Sequence, residues 1–426
     1  MLGGEVLSHR LSLRGSLRGH LKQANVDLAL LCVCLLGLII FAIHGPYGDG
    51  DIRVYHKYAV EFWAGKHAFH YLPIEYPPLS LVIFTLAVLP PIHDYSTVFA
   101  IWMGAAFLAG YFAFIRFSSR HNASLYAVYM LLGATAALLG RYDIVPALLS
   151  VGAIWAATRR RFGIAYLLIA IGVSLKFYPL VLLPILMIEH RRFLVTHDHP
   201  WKKPVAVGAL LTAGLLVASF GVAVLITGWD ALNPFYYAAT RPLQVESFGA
   251  TLLWFGSAFG FPAITEHGWH SYNLVGPLDG GIMSLLSFTG VAGLGWVYWR
   301  FWIGRFDLAR AFLAAVCVML LTSKVFSPQY LIWLLPLVVE VEGIDILWLL
   351  ICVCTTLIYP VEYVNDHIFG TVGPLPYSNT MLGTIAVRNL VLIAATLRVL
   401  LPGRSPIRTE APEPALQEGS LSIPGD

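Results

Sequence analysis

The sequence has very little charge. Of its 426 residues only 12% are Asp, Glu, Lys or Arg, whereas 58% are hydrophobic. A soluble globular domain carries about a quarter charged residues, so this composition excludes that class. The formal net charge of only +3 gives no indication of a nucleic-acid partner.

Cysteine and nucleotide-binding motifs are also scarce. The five cysteines all lie inside apolar segments, and none has the spacing of a zinc site or a redox pair. We therefore interpret them as small hydrophobic residues. Neither a Walker loop nor a GxGxxG motif is present, so the sequence has no recognisable site for a soluble nucleotide donor.

The sequence is instead rich in long apolar segments. A helix needs roughly 20 apolar residues to cross a bilayer. Apolar segments of about that length, or shorter segments that follow each other in pairs, lie at 26–44, 78–92, 96–116, 123–139, 143–158, 163–188, 204–227, 281–303, 308–323, 328–342, 344–360 and 380–401. They are too long and too uniformly apolar for barrel strands. The predicted fold is all-α, a polytopic transmembrane helical bundle of 11–13 spans.

The basic residues are sorted into particular loops. They lie at 10–22, 159–161, 191–203, 300–310 and 398–408, and the positive-inside rule places these loops in the cytoplasm. Residues 159–161 lie on the cytoplasmic side only if one of the short segments between 78 and 158 does not span the membrane; otherwise they lie outside. Our choice for the segment that does not span is 78–92, which is flanked by prolines. The predicted parts are a cytoplasmic N-terminus at 1–25, one transmembrane domain at 26–401 with external loops at about 44–77 and 228–280, and a disordered cytoplasmic tail at 402–426.

Several ionisable residues interrupt apolar runs. They are Arg141, Asp143, Lys176 and Lys324, the last followed by Gln329 and Tyr330. A lone charge at mid-bilayer costs about 2.5–3.5 kcal/mol, and a proline follows each cation, so we expect helix ends that open on a polar cavity. The alternative is a structural Arg141–Asp143 pair with lysines that reach the interface. The repeated pattern favours an anion pocket, and a single phosphate on a lipid fits it.

The first external loop carries carboxylates just beyond a predicted span. Asp51 or Asp49 could act as a base that takes a proton from a hydroxyl at the membrane surface. The alternatives are a turn role for Asp49 and a helix N-cap role for Asp51. Glu75 could bind sugar hydroxyls or mark the start of a span. The apolar spacing after Asp51 predicts an amphipathic helix in the interface.

Motifs along most of the chain resemble a known superfamily. They are DIRVYHKYA, AGK and EYPPL in the first loop, then GRYDIVPALL, LKFYPLVLLP, RPLQVES and SKVFSPQYLIWLLP. In this order they are similar to the GT-C membrane glycosyltransferases, nearest to glycosyltransferase family 87 and the bacterial polyprenyl-phosphomannose-dependent mannosyltransferases.

The resemblance implies an inverting enzyme of the plasma membrane with its active site on the extracytoplasmic face. It implies a polyprenyl-phosphate sugar donor, a mannose carrier in that branch, and a glycolipid or cell-envelope glycan acceptor. The catalytic aspartate would be Asp51, with Asp49 as the near alternative.

The residue patterns and the resemblance together give a set of expected substrate-binding residues. They are Tyr55, Glu75, Tyr76, Arg141, Asp143, Lys176, Arg241, Glu246, Lys324, Gln329 and Tyr330. No cofactor is expected, and the sequence leaves a divalent metal ion open. The competing interpretation is a secondary transporter or a lipid-linked sugar flippase, which would use buried charges equally well.

Overall fold

A computed structural model describes residues 51–64, 75–88, 94–269, 271–362 and 379–401. Within these ranges the chain is an all-α bundle, which confirms the predicted fold class. Asp49, the apolar segment 26–44 and the two predicted cytoplasmic ends lie outside the described residues, so the predictions made for them stay predictions.

Most of the α-helices coincide with the apolar segments, whereas two, Asn233–Thr240 and Phe248–Ser257, lie in the second predicted external loop and were not predicted. In chain order they are α1 Asp51–Trp63, α2 Ser80–Leu86, α3 Tyr95–Phe117, α4 Arg120–Leu138, α5 Ile144–Thr158, α6 Phe162–Leu175, α7 Leu183–Thr196, α8 Lys202–Thr227, α9 Asn233–Thr240, α10 Phe248–Ser257, α11 Asp279–Trp302, α12 Leu308–Thr322, α13 Leu331–Val341, α14 Ile346–Thr356 and α15 Asn379–Leu400. Short 3-10 turns at Tyr178–Leu182, Gly228–Leu232 and Pro328–Tyr330, and a π turn at Leu357–Glu362, join some of them.

The helices end at the charged residues that interrupt the apolar runs. Lys176 is the C-cap of α6, and Asp143 directly precedes α5. The apolar segment 163–188 is therefore two helices rather than one, because Pro179 lacks the amide that would continue α6. The prediction that these charges lie at helix ends is confirmed.

Four helical stretches are long and apolar enough to cross a bilayer by themselves. They are Tyr95–Phe117, Lys202–Thr240, Asp279–Trp302 and Asn379–Leu400. By contrast, α2 has 7 residues and spans only about 10 Å. Our choice of 78–92 as the segment that does not cross stays a prediction, because its last residues lie outside the described ranges. The count of 11–13 spans stays a prediction.

The centre of the bundle is α13, which packs against α4, α5 and α12 and buries most of its side chains. The long helices α8 and α11 instead expose large apolar side chains, such as Leu225 (88% exposed) and Val291 (75%). A helix that is apolar on its outward face suits contact with lipid tails rather than water.

A β-hairpin within the second predicted external loop was not predicted. Its antiparallel strands are β1, Ile264–Gly268, and β2, Ser271–Val275, with Glu266 opposite Asn273. The preceding segment runs beside β2, because Val245 donates its amide to Tyr272 O and Leu274 donates to Leu243 O. This small sheet forms part of the wall of the cavity described next.

Candidate active site

A large cavity lies at one end of the bundle. Helices α1, α5, α7 and α13 begin near it, and helices α6, α9 and α12 end near it. Its volume is about 1180 Å³, above the roughly 300–1,000 Å³ of most small-molecule sites. The charged residues on its wall are Asp51, Glu75, Arg141, Lys176, Arg241, Glu246 and Lys324. Residues from both predicted external loops and from three helix breaks therefore share one chamber.

Asp51 occupies the first turn of α1 at the cavity wall. Its Oδ2 forms an ion pair with Arg141 Nη1 and accepts a hydrogen bond from Tyr76 Oη (3.2 Å). The carboxylate side chain remains 27% exposed, so a ligand in the cavity can reach it. Arg141 and Tyr76 thus hold Asp51 in one orientation while leaving part of it open.

Tyr76 keeps its proton in this arrangement. Burial is the largest cause that raises the pKa of Tyr76 well above its ordinary value, and the charge of neighbouring Glu75 acts in the same direction. Tyr76 therefore remains a hydrogen-bond donor to Asp51. Beside it, Tyr58 Oη donates to Glu75 Oε2 (3.2 Å).

Lys176 lies at the floor of the cavity and is paired with Asp143. Its Nζ donates to Asp143 Oδ1 (2.5 Å), and Trp333 Nε1 donates to the same oxygen (2.6 Å). The Lys176 side chain is 10% exposed and that of Asp143 is 0% exposed. The expected alternative, a pair between Arg141 and Asp143, is not formed, because each partner has a different counter-ion in the fold.

Four aromatic rings surround the Lys176 ammonium. Their centroids lie 4.9–5.5 Å from Nζ, which is the range of cation–π attraction; the rings are those of Tyr76, Tyr142, Tyr330 and Trp333. The ion pair and the four rings together form this part of the cavity wall.

Arg241 and Lys324 face the cavity at the end of α9. Arg241 is the C-cap of that helix, and its guanidinium lies 5.3 Å from the Tyr237 ring. Lys324 Nζ donates to Ala239 O in the last turn of the same helix (2.8 Å). Among the described residues neither cation forms an ion pair with a carboxylate.

Most of the expected site residues meet in this cavity. Those that line it are Asp51, Glu75, Tyr76, Arg141, Lys176, Arg241, Glu246, Lys324, Gln329 and Tyr330. Tyr55 and Asp143 do not: Tyr55 is fully buried and stacks on Phe84 (4.3 Å between centroids), and Asp143 lies behind Lys176. These placements leave the roles of the individual residues as predictions.

One buried charged residue behind the cavity wall was missed by the sequence reasoning. Arg388 is fully buried in α15, where its Nη1 lies 3.8 Å from Glu246 Oε2. The same signal that identified Lys176, a cation inside an apolar run, is present in TIAVRNLVLIAA and could have identified it.

The described residues also bear on metal binding. Within the described ranges no group of three or more His, Cys, Asp or Glu side chains is placed to hold a metal ion. His267 lines the cavity as part of β1, where its ring contacts Tyr272.

The chain is thus an apolar helical bundle with a carboxylate and several cations on the wall of one large cavity. The family model of glycosyltransferase family 87 matches residues 74–328, which is more than half of the chain. The chain belongs to glycosyltransferase family 87. A comparison with functionally curated proteins finds no match.

Proposed function

We propose that this glycosyltransferase transfers a sugar, mannose, from a polyprenyl phosphate to a hydroxyl of a glycolipid or cell-envelope glycan. The observation that carries the proposal is the position of Asp51, held by Arg141 and Tyr76 at the wall of a cavity that also presents Arg241 and Lys324. A lipid phosphate needs a few cations and an apolar surround, and this cavity offers both.

The reaction follows from these groups. The acceptor oxygen attacks the anomeric carbon of the donor sugar while the bond from that carbon to the phosphate oxygen breaks, which inverts the configuration. Asp51 takes the hydroxyl proton, as a general base must at the moment the new bond forms. Polyprenyl phosphate leaves with the electron pair of the broken bond.

The ion pairs of the cavity suggest that its four cations have different roles. Arg141 is balanced by Asp51, and Lys176 by Asp143. Arg241 and Lys324 have no carboxylate partner among the described residues, so their charge is available to a ligand. We propose that these two stabilise the leaving phosphate, while Lys176 shapes the wall beside Tyr76.

The orientation of the helices supports an active site on the extracytoplasmic face of the plasma membrane. Helix α5 begins at the cavity beside Asp143 and ends at the arginines 159–161, about 22 Å away along its axis. The positive-inside rule places those arginines in the cytoplasm. The cavity would then open on the other side.

The test is Asp51→Asn, with Asp198→Asn in an exposed loop outside the cavity as a matched control. We expect Asp51→Asn to lose on the order of 10²–10⁴-fold in turnover, because it removes the base, while donor binding persists. The control should keep full turnover. Undiminished activity of Asp51→Asn, or undiminished movement of lipid-linked sugar across liposomes without transfer, would favour the transporter or flippase instead.

A further inference from the structure

A buried polar network joins the last helix to the cavity wall. Arg388 and Asn389, in the middle of α15, are both 0% exposed and lie beyond the segment matched by the family model. The Arg388 guanidinium lies 4.0 Å from the Phe326 ring centroid. A buried arginine in an apolar helix is costly, so its position calls for a specific set of partners.

The partners of both residues lie in one turn of the external loop. Arg388 Nη2 donates to Glu246 O (2.6 Å), and Asn389 Nδ2 donates to the same oxygen (3.3 Å) and to Thr251 Oγ1 (2.9 Å). Asn389 Oδ1 in turn accepts from Arg388 Nε (3.2 Å) and Nη2 (3.1 Å). The two side chains therefore fix both the backbone and the carboxylate of Glu246.

The same turn holds the segment that carries Lys324. Gln244 donates its amide to Lys324 O (2.9 Å), and its Oε1 accepts from the Phe326 amide (3.0 Å). Its Nε2 donates to Ser327 Oγ (2.8 Å). Hydrogen bonds at Glu246 and at Gln244, which the backbone of residues 244–246 joins, thus connect α15 to residues 324–327.

We propose that Arg388 is a positioning residue, which acts through Glu246 and Gln244 to hold Lys324 at its place in the cavity. Its consequence for catalysis rests on the proposed function, in which Lys324 meets the donor phosphate. The last helix, outside the matched segment, then supports the cavity wall from behind in addition to its place in the bundle.

The test compares Arg388→Gln with Arg398→Gln in detergent micelles by hydrogen–deuterium exchange. Arg398 is a matched control, because it lies on the same helix and is ion-paired with Glu342 and Asp345 away from the cavity. We expect Arg388→Gln to speed amide exchange at residues 243–247 and 323–328 by about tenfold or more, the factor that one charge-assisted hydrogen bond is worth. Arg398→Gln should leave both segments unchanged. Unchanged exchange in Arg388→Gln would overturn the proposal.

A milder variant covers the case in which Arg388→Gln does not fold. Thr251→Val removes only the hydroxyl that accepts from Asn389, and should speed exchange in the same two segments by a smaller factor. Wild-type exchange rates in a folded Thr251→Val protein would overturn the proposal in that case.

The kinetic arm is a double-mutant cycle on the donor KM. If Arg388 acts through Lys324, then Arg388→Gln and Lys324→Ala combined should raise the KM by less than the product of their separate factors. If the KM of the double variant rises by the full product of the two separate factors, Arg388 does not act through Lys324. A wild-type protein that does not use a polyprenyl-phosphate donor would refute the proposed function, while the exchange result would still decide the positioning role.

Discussion

The buried pair of Lys176 and Asp143 gives the sharpest prediction for the stability of the fold. In Lys176→Met the apolar side chain keeps much of the original volume but leaves the Asp143 carboxylate, which is 0% exposed, without its counter-ion. Trp333 Nε1 would still donate to it, but Asp143 Oδ2 has no hydrogen-bond partner among the described residues. The variant therefore leaves a buried charge poorly compensated.

The magnitude follows from these contacts. Removing one partner of a buried ion pair costs about 3–5 kcal/mol. The cation–π contacts of Lys176 with its four rings add about 0.5–2 kcal/mol. The double variant Lys176→Met/Asp143→Asn removes both charges, so it should lose only the cation–π contribution. We expect its free energy of unfolding to lie within about 2 kcal/mol of that of the wild type.

The assay is unfolding in mixed micelles as the mole fraction of denaturing detergent rises, followed by tryptophan fluorescence. The single variant should unfold at clearly lower denaturant than the double variant. Equal stability of the wild type and the single variant, or a double variant less stable than the single one, would refute the pairing.

The same double variant separates two roles for Lys176. If Lys176 only shapes the wall, the folded double variant should keep a donor KM close to that of the wild type. A rise of tenfold or more, about 1.4 kcal/mol, would mean that Lys176 itself meets the donor phosphate.

Two further predictions concern packing and the donor site. Gly208→Ala should destabilise the bundle by about 1–3 kcal/mol in the same unfolding assay, because a β-carbon there would overlap the Tyr166 ring. Gly214→Ala on the same helix has open space and should be neutral or slightly stabilising, so equal losses for both would contradict the packing argument. Lys324→Ala should raise the donor KM by about 10- to 100-fold through loss of a charge-assisted bond to phosphate, whereas exposed Lys203→Ala should not. An unchanged donor KM in Lys324→Ala would argue against its contact with the phosphate.

The sequence was sufficient to predict most of the helices, but not those at Asn233–Thr240 and Phe248–Ser257 in the second external loop. Apolar length sets the helix positions, and a charge followed by proline within an apolar run marks a helix end, as at Lys176. The helix that begins at Asp51 was also predicted, from the spacing of its apolar residues. These are local signals, which a single sequence carries in full.

The partners of the charges could not be predicted in the same way. Arg141 and Asp143 are two residues apart, which made a pair between them the alternative interpretation of these charges. In the fold, Asp143 meets Lys176 and Arg141 meets Asp51, 33 and 90 positions away along the chain. Such pairings depend on how the helices pack, and no local pattern encodes them.

The hairpin at Ile264–Val275 shows a second kind of failure. Its strands lack regular alternation of apolar and polar residues, since β1 reads ITEHG and β2 reads SYNLV. Their pairing is supported by the neighbouring segment, through the hydrogen bond from Leu274 to Leu243 O. Tertiary contact rather than local propensity therefore decides this part of the cavity wall.

The most direct test of the central claim is transfer of labelled mannose from polyprenyl-phosphate mannose by the purified protein in liposomes that contain membrane lipids. The account predicts a mannosylated lipid or glycan of inverted anomeric configuration, together with released polyprenyl phosphate, and a rate from Asp51→Asn that is lower by at least about 100-fold. Transfer from a nucleotide sugar alone, or product of retained configuration, would contradict it.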